Sequence, residues 1–76
     1  MNKFKTGDVV HYKDNSTYKL HIIGCDNMYY EYDTYKDGKR TDNSFKYLIV
    51  GYMEKEYIYD QKYLDERIRR LLHEEK

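Results

Sequence analysis

Asp37-Gly38 is the feature that most constrains the fold, because a two-residue loop between paired strands needs positive φ at both positions and Asp-Gly tolerates it. It has company. Gly7-Asp8, Asp14-Asn15-Ser16-Thr17 and Cys25-Asp26-Asn27 are further turn clusters, each followed by a short β-branched or aromatic run. Gly7 lets the backbone turn sharply, Asp8 bonds nearby amides, and a first strand starts at Val9 with Phe4, Val10 and Tyr12 on one parity. Tyr18 to Gly24 follows with Tyr18, Leu20 and Ile22 on one face. Met28 to Thr34 alternates Met28, Tyr30 and Tyr32 against Tyr29, Glu31 and Asp33. A weaker strand runs from Lys39 to about Phe45, and a last one lies near Tyr57-Ile58-Tyr59. Short strands at roughly 8–12-residue spacing predict a mainly β protein, a small antiparallel sandwich or barrel.

Seventy-six residues allow one domain with a small core, since folding at this size buries only about 60% of the chain's surface. A deep two-lobed substrate cleft does not fit. Fourteen basic and fourteen acidic residues cancel, so no global field draws in nucleic acid or an anionic membrane. The charge is patchy, with residues 26–37 acidic and residues 38–50 basic. Cys25 is alone, which fits a reducing cytoplasm, and the N-terminus has no leader-like apolar run. Tyr47 to Val50 is the longest apolar stretch, far short of a membrane span.

Residues 1–59 read as the β unit and residues 60–76 as a C-terminal helix. Asp60 is the expected N-cap, and Leu64, Ile68, Leu71 and Leu72 form an i, i+4, i+7, i+8 stripe. Asp65–Arg69 and Glu66–Arg70 support the helix by about 0.2–0.5 kcal/mol each. An isolated helix this short is marginal, so the stripe must bury against something. Docking on the barrel's open end is the expectation; the alternative is that it meets a second copy, giving a homo-oligomer, or a partner protein. Met53, Tyr57, Leu64 and Ile68 also fit one longer helix starting near Tyr52.

Catalytic constellations are not evident. Cys25 lacks an orienting group beside His11 or His21, and no C-x-x-C or H-x-x-x-H spacing suggests metal or any other cofactor. Strand alternation aims Glu31 and Asp33 outward, where carboxylates stay ionised and make poor acids. Binding is the class that remains. Eleven tyrosines supply rigid amphipathic area, and Tyr29 and Tyr35 belong to an exposed acidic–aromatic stripe. On the helix, Tyr63, Arg67, Arg70 and Glu74 form a flank able to make cation–π contacts or hold a phosphate. Lys39 and Arg40 are further candidate phosphate contacts. Ala, Pro and Trp are absent while AT-encoded residues abound, so part of the tyrosine excess is attributable to an AT-rich genome.

Phe4-Lys5-Thr6-Gly7-Asp8-Val9-Val10 resembles the opening of many SH3-like barrels. Ser44 to Leu48, then Tyr52-Met53-Glu54, resembles the short helical turn before the last strand of that fold. Small proteins of phages and prophages of low-GC bacteria look similar, and the resemblance covers roughly residues 4–58. It implies a five-stranded SH3-like barrel and no function by itself. SH3-like domains that bind Pro-rich peptides use a strand Trp and a Pro in the helical turn, and this chain has neither. The resulting expectation is a non-enzymatic protein-binding module, an inhibitor or adaptor acting on a host protein in the cytoplasm, anchored by Tyr29, Tyr35, Tyr63, Arg67 and Arg70. A nucleotide or nucleic-acid binder using Lys39, Arg40, Arg67 and Arg70 is the first alternative. A structural homo-oligomer built on Leu64, Ile68, Leu71 and Leu72 is the second.

Overall fold

The computed structural model describes residues 2–41 and 46–74, the side chains of residues 73 and 74 excepted. The elements are β1 (Val9–Tyr12), β2 (Asn15–Cys25), β3 (Tyr29–Lys36), β4 (Lys39–Arg40), β5 (Lys46–Ile49), α1 (Val50–Glu56), β6 (Tyr57–Tyr59) and α2 (Gln61–Glu74). The sheet is antiparallel with the order β4-β3-β2-β1-β6, and β5 also pairs with β3. Six strands take part and the sheet is not closed: among the described residues no pairing joins β4 or β5 to β6.

Turn chemistry sets this order. Asp37 (φ 53°) and Gly38 (φ 81°) both adopt positive φ between the partners Lys36 and Lys39, the two-residue hairpin that Asp-Gly favours. Gly7 also has positive φ, 97°, and Asp8 closes the turn by accepting the Lys5 amide on Oδ2 at 2.8 Å. The turn is tied to β2 by Gly7 N–H to Ile22 O (2.8 Å) and Ile22 N–H to Asp8 O (2.9 Å). Between β2 and β3, Asp26 Oδ1 accepts the amides of Met28 and Tyr29, which hold its carboxyl below the usual carboxylate range.

Phe4, Val10, Leu20, Ile22, Tyr30 and Met53 are buried, with Tyr32, Leu48, Val50, Tyr57 and Tyr59 packed against them. The alternation of Leu20 with Ile22, and of Tyr30 with Tyr32, therefore has the expected sense. Tyr18, within β2, and Met28, just before β3, are expected on the same face but stay 44% and 64% exposed. The Tyr30 hydroxyl accepts the Phe4 amide (3.0 Å) and donates to Glu54 Oε2 (2.5 Å), and the same Glu54 oxygen accepts the Lys3 amide (2.8 Å). Burial, aided by the Glu54 bond, pushes the Tyr30 phenol up to about 12.

Two local expectations change. Lys46–Ile49 is strand rather than the start of a helical turn, because Tyr47 and Ile49 find ladder partners in Glu31 and Tyr29. The helix begins only at Val50; Ser44, Phe45 and the far end of the expected fourth strand lie outside the described residues. No single helix runs on from Tyr52 either. β6 interrupts it, setting Tyr59 edge-on to Phe4 at 5.1 Å and Tyr57 edge-on to Tyr12 at 5.6 Å.

Candidate interaction surfaces

Helix α2 is launched by Asp60, whose own amide bonds Val9 O (3.0 Å) and whose carboxylate accepts the Tyr63 amide (3.2 Å) and the Lys19 ammonium (2.5 Å). Asp60 is the N-cap that the sequence suggests. Burial alone would raise its pKa, but the Lys19 bond and the Tyr63 amide outweigh it and hold the carboxyl low. One turn further on, the Tyr63 hydroxyl donates to Asp8 Oδ1 (2.9 Å), and Arg67 stands 3.7 Å from the same oxygen. Burial and the Asp8 bond both push the Tyr63 phenol upward. Tyr63, Glu66, Arg67 and Arg70 thus face the Lys5–Asp8 turn across an open cavity of ≈ 270 Å³.

This polar docking turns the apolar stripe away. At 100° per residue, the Tyr63/Glu66/Arg67/Arg70 face and the Leu64/Ile68/Leu71/Leu72 stripe lie roughly a third of a circle apart. Leu64 is half-buried, while Ile68, Leu71 and Leu72 are 53%, 52% and 62% exposed. The expected docking of the stripe on the sheet is therefore confined to its first residue. An amphipathic pattern says which face of a helix is apolar, not which face the rest of the chain holds.

A second apolar surface lies around the β3–β5 pairing. Tyr29, Tyr47, Leu48, Ile49 and Tyr52 line a shallow depression of ≈ 400 Å³, with the Tyr29 and Tyr47 rings edge-to-face at 6.5 Å. Beside it, Tyr29 and Tyr47 share a ≈ 220 Å³ recess with Gly24, Cys25, Asp26 and Glu31. Tyr47 is 60% exposed and Ile49 62%. The patch is acidic at its rim and aromatic at its centre. Tyr29 is a residue the sequence singled out; Tyr47, Ile49 and Tyr52 are not. For Tyr47 and Ile49 the signal is the apolar run Tyr47 to Val50, in which alternation puts these two on one face.

The remaining candidates do not converge with these. Tyr35 shares the outward parity of Tyr29 but lies roughly 20 Å further along β3, where it stacks on His21 at 4.0 Å. Burial pushes the His21 imidazole down, against the opposing pull of Asp33 and Asp60. Arg40 pairs with Asp33 at 2.8 Å, and β4, which carries Lys39 and Arg40, sits on the opposite side of the sheet from β6. Lys39 and Arg40 are not among the described residues that line the cavity of Arg67 and Arg70. His11 Nδ1–H donates to Tyr12 O, and its Nε2 is 4.0 Å from Asp60, while Cys25 is exposed at the end of β2. Among the described residues no three His, Cys, Asp or Glu side chains group as metal ligands, and no helix is long and apolar enough to cross a membrane. No family model, no curated protein and no solved structure matches the chain.

Proposed function

We propose that this chain is a non-enzymatic protein-binding module, an SH3-like β unit that presents an amphipathic helix to its partner. The observation that carries the reading is the inverted docking of α2. The helix is held by Asp60, Lys19, Tyr63 and Asp8, all polar, while Ile68, Leu71 and Leu72 stay exposed. A monomer gains nothing from holding an apolar stripe in water, whereas a helix laid into a partner's groove reads out through such i, i+3, i+4 anchors. The resemblance to small phage proteins extends the proposal to an inhibitor or adaptor acting on a host protein in the cytoplasm. Capture of one defined protein from lysate of a low-GC bacterial host tests it. Ile68→Glu should abolish capture, whereas Arg40→Ala, on the far side of the sheet, should leave it intact. Capture that survives Ile68→Glu sinks the reading.

A nucleotide-binding reading is favoured by one specific observation, the cavity that brings Arg67 and Arg70 to Lys5 and Thr6. Asp8 and Glu66 share that lining and offset part of the positive charge. Steep salt dependence of binding, lost in Arg70→Glu, would favour this reading over the protein interface.

A further inference from the structure

Among the described residues, the β3–β5–α1 patch and the outer stripe of α2 are both uncovered apolar surfaces, the first with an acidic rim and the second flanked by Arg69. The patch on β3, β5 and α1 has Tyr29, Tyr47, Ile49 and Tyr52 at its centre, and its recess is edged by Asp26 and Glu31, with no basic side chain among the described lining residues. On α2 the exposed Ile68, Leu71 and Leu72 are flanked by Arg69, whereas Arg67 and Arg70 face the Lys5–Asp8 turn. Neither surface reaches the other within one molecule, because α2 is anchored over the Lys5–Asp8 turn through Tyr63 and Arg67.

We propose that the acidic–aromatic patch of one copy receives the α2 helix of a second copy. This rests on the reading of α2 as an interaction element and names its occupant. Ile68, Leu71 and Leu72 lie over the tyrosines, and Arg69, which flanks the stripe, meets the acidic rim and the ring faces. Arginine suits that place because its guanidinium pairs with carboxylates and also stacks on aromatic rings. Reciprocity completes the arrangement. In a two-fold pair each copy gives its helix and receives the other's, so both apolar surfaces of both chains are covered. Helix-on-helix pairing along one stripe would leave the patch open and bury far less than the roughly 1,200 Å² typical of a specific interface.

The experiment is the solution mass of the intact chain by sedimentation, alone and with two surface variants. The wild type should show twice the 9.4 kDa of one chain. Leu71→Glu and Tyr47→Asp, both at exposed positions, should each give a folded monomer with unchanged far-ultraviolet circular dichroism. An equimolar mixture of the two variants should recover part of the association, since one intact helix then meets one intact patch. A wild type that stays monomeric at the highest attainable concentration overturns the proposal. So does a dimer that Leu71→Glu breaks and Tyr47→Asp leaves intact, which is the signature of helix-on-helix pairing. A monomer that still captures a host protein through Ile68 would leave the interaction reading standing and remove only the second copy as occupant.

Discussion

The two helices of this protein are held by opposite means. α1 has seven residues, an N-terminal Ile49 with no side-chain cap and no acid in its first turn, yet it keeps Met53 fully buried under the sheet. α2 has twice the length, a capping Asp60 and a polar fastening to Asp8, yet none of its described side chains is fully buried. Packing makes the first helix, and end-group chemistry positions the second. The difference teaches where the sequence is committed. α1 exists for the core, whereas α2 is held at its base with its apolar stripe free.

Met53→Ala puts the contrast under the heaviest load. A buried methionine truncated to alanine should cost about 2–5 kcal/mol through lost transfer energy and the cavity left behind. Leu71→Ala, on the exposed stripe of α2, should stay within about 0.5 kcal/mol in dilute protein. Urea unfolding midpoints at equal slope measure both. Equal losses would mean that the end of α2 is packed as firmly as α1.

Tyr30→Phe probes the polar bond inside the core that α1 completes. It leaves the buried Phe4 amide without its acceptor and takes from Glu54 the phenol donor, leaving it the Lys3 amide, at a cost of about 1–3 kcal/mol. The phenol's folded pKa of about 12 lies above its ordinary value of 10, so the fold favours the neutral form. That contribution is complete below pH 10 and is lost as pH rises from 10 toward 12. Tyr57, Tyr59 and Tyr63 are also raised and add to the same limb. Alkaline unfolding should therefore be shallower in Tyr30→Phe than in the wild type, and an unchanged limb would remove Tyr30 as its main source.

Asp-Gly hairpin, Asp60 cap and last strand were all legible, because each depends on residues within a turn of one another. Leu20, Ile22 and Tyr30 were legible because strand period fixes their shared face. The patch was not. Tyr29 comes from β3, Tyr47 and Ile49 from β5 and Tyr52 from α1, so only the antiparallel register assembles them. Nor was the orientation of α2, which hangs on a Tyr63–Asp8 bond spanning 55 residues. Tyr63, Arg67 and Arg70 could be grouped on one flank, but nothing local says that a buried aspartate waits opposite them.

Asp60→Ala removes the fastening of α2 without touching α1. Loss of the cap should cost about 1 kcal/mol, within a range of 0.5–2. The loss should be local: reduced helical circular dichroism and faster amide exchange at Tyr63 and Leu64, with the amides of β2 and β3 unchanged. Because the Asp60 carboxyl is held below its ordinary 3.8, this contribution is present above that pH and disappears as pH falls through the lower folded value. Uniform acceleration across the sheet would instead make Asp60 part of the global core.

The smallest effect sharpens the comparison at the sheet itself, on the face from which α2 is launched. His21 stacks on Tyr35 and pairs in register with Val9 and Asp33, and its imidazole is influenced by both Asp33 and Asp60. Burial lowers its pKa and the two carboxylates raise it, with burial prevailing. A lowered histidine favours its neutral form in the fold, so its contribution is complete above pH 6.5. As pH falls below 6.5 toward the depressed folded value, the unfolded chain takes up the proton first and stability declines. His21→Phe keeps an aromatic stack against Tyr35 and should flatten that decline, measured as unfolding midpoints between neutral and mildly acidic pH. If the imidazole instead titrates above 6.5 and stability rises on acidification, Asp33 and Asp60 dominate, and the ground beneath α2 is an electrostatic surface rather than a desolvated one.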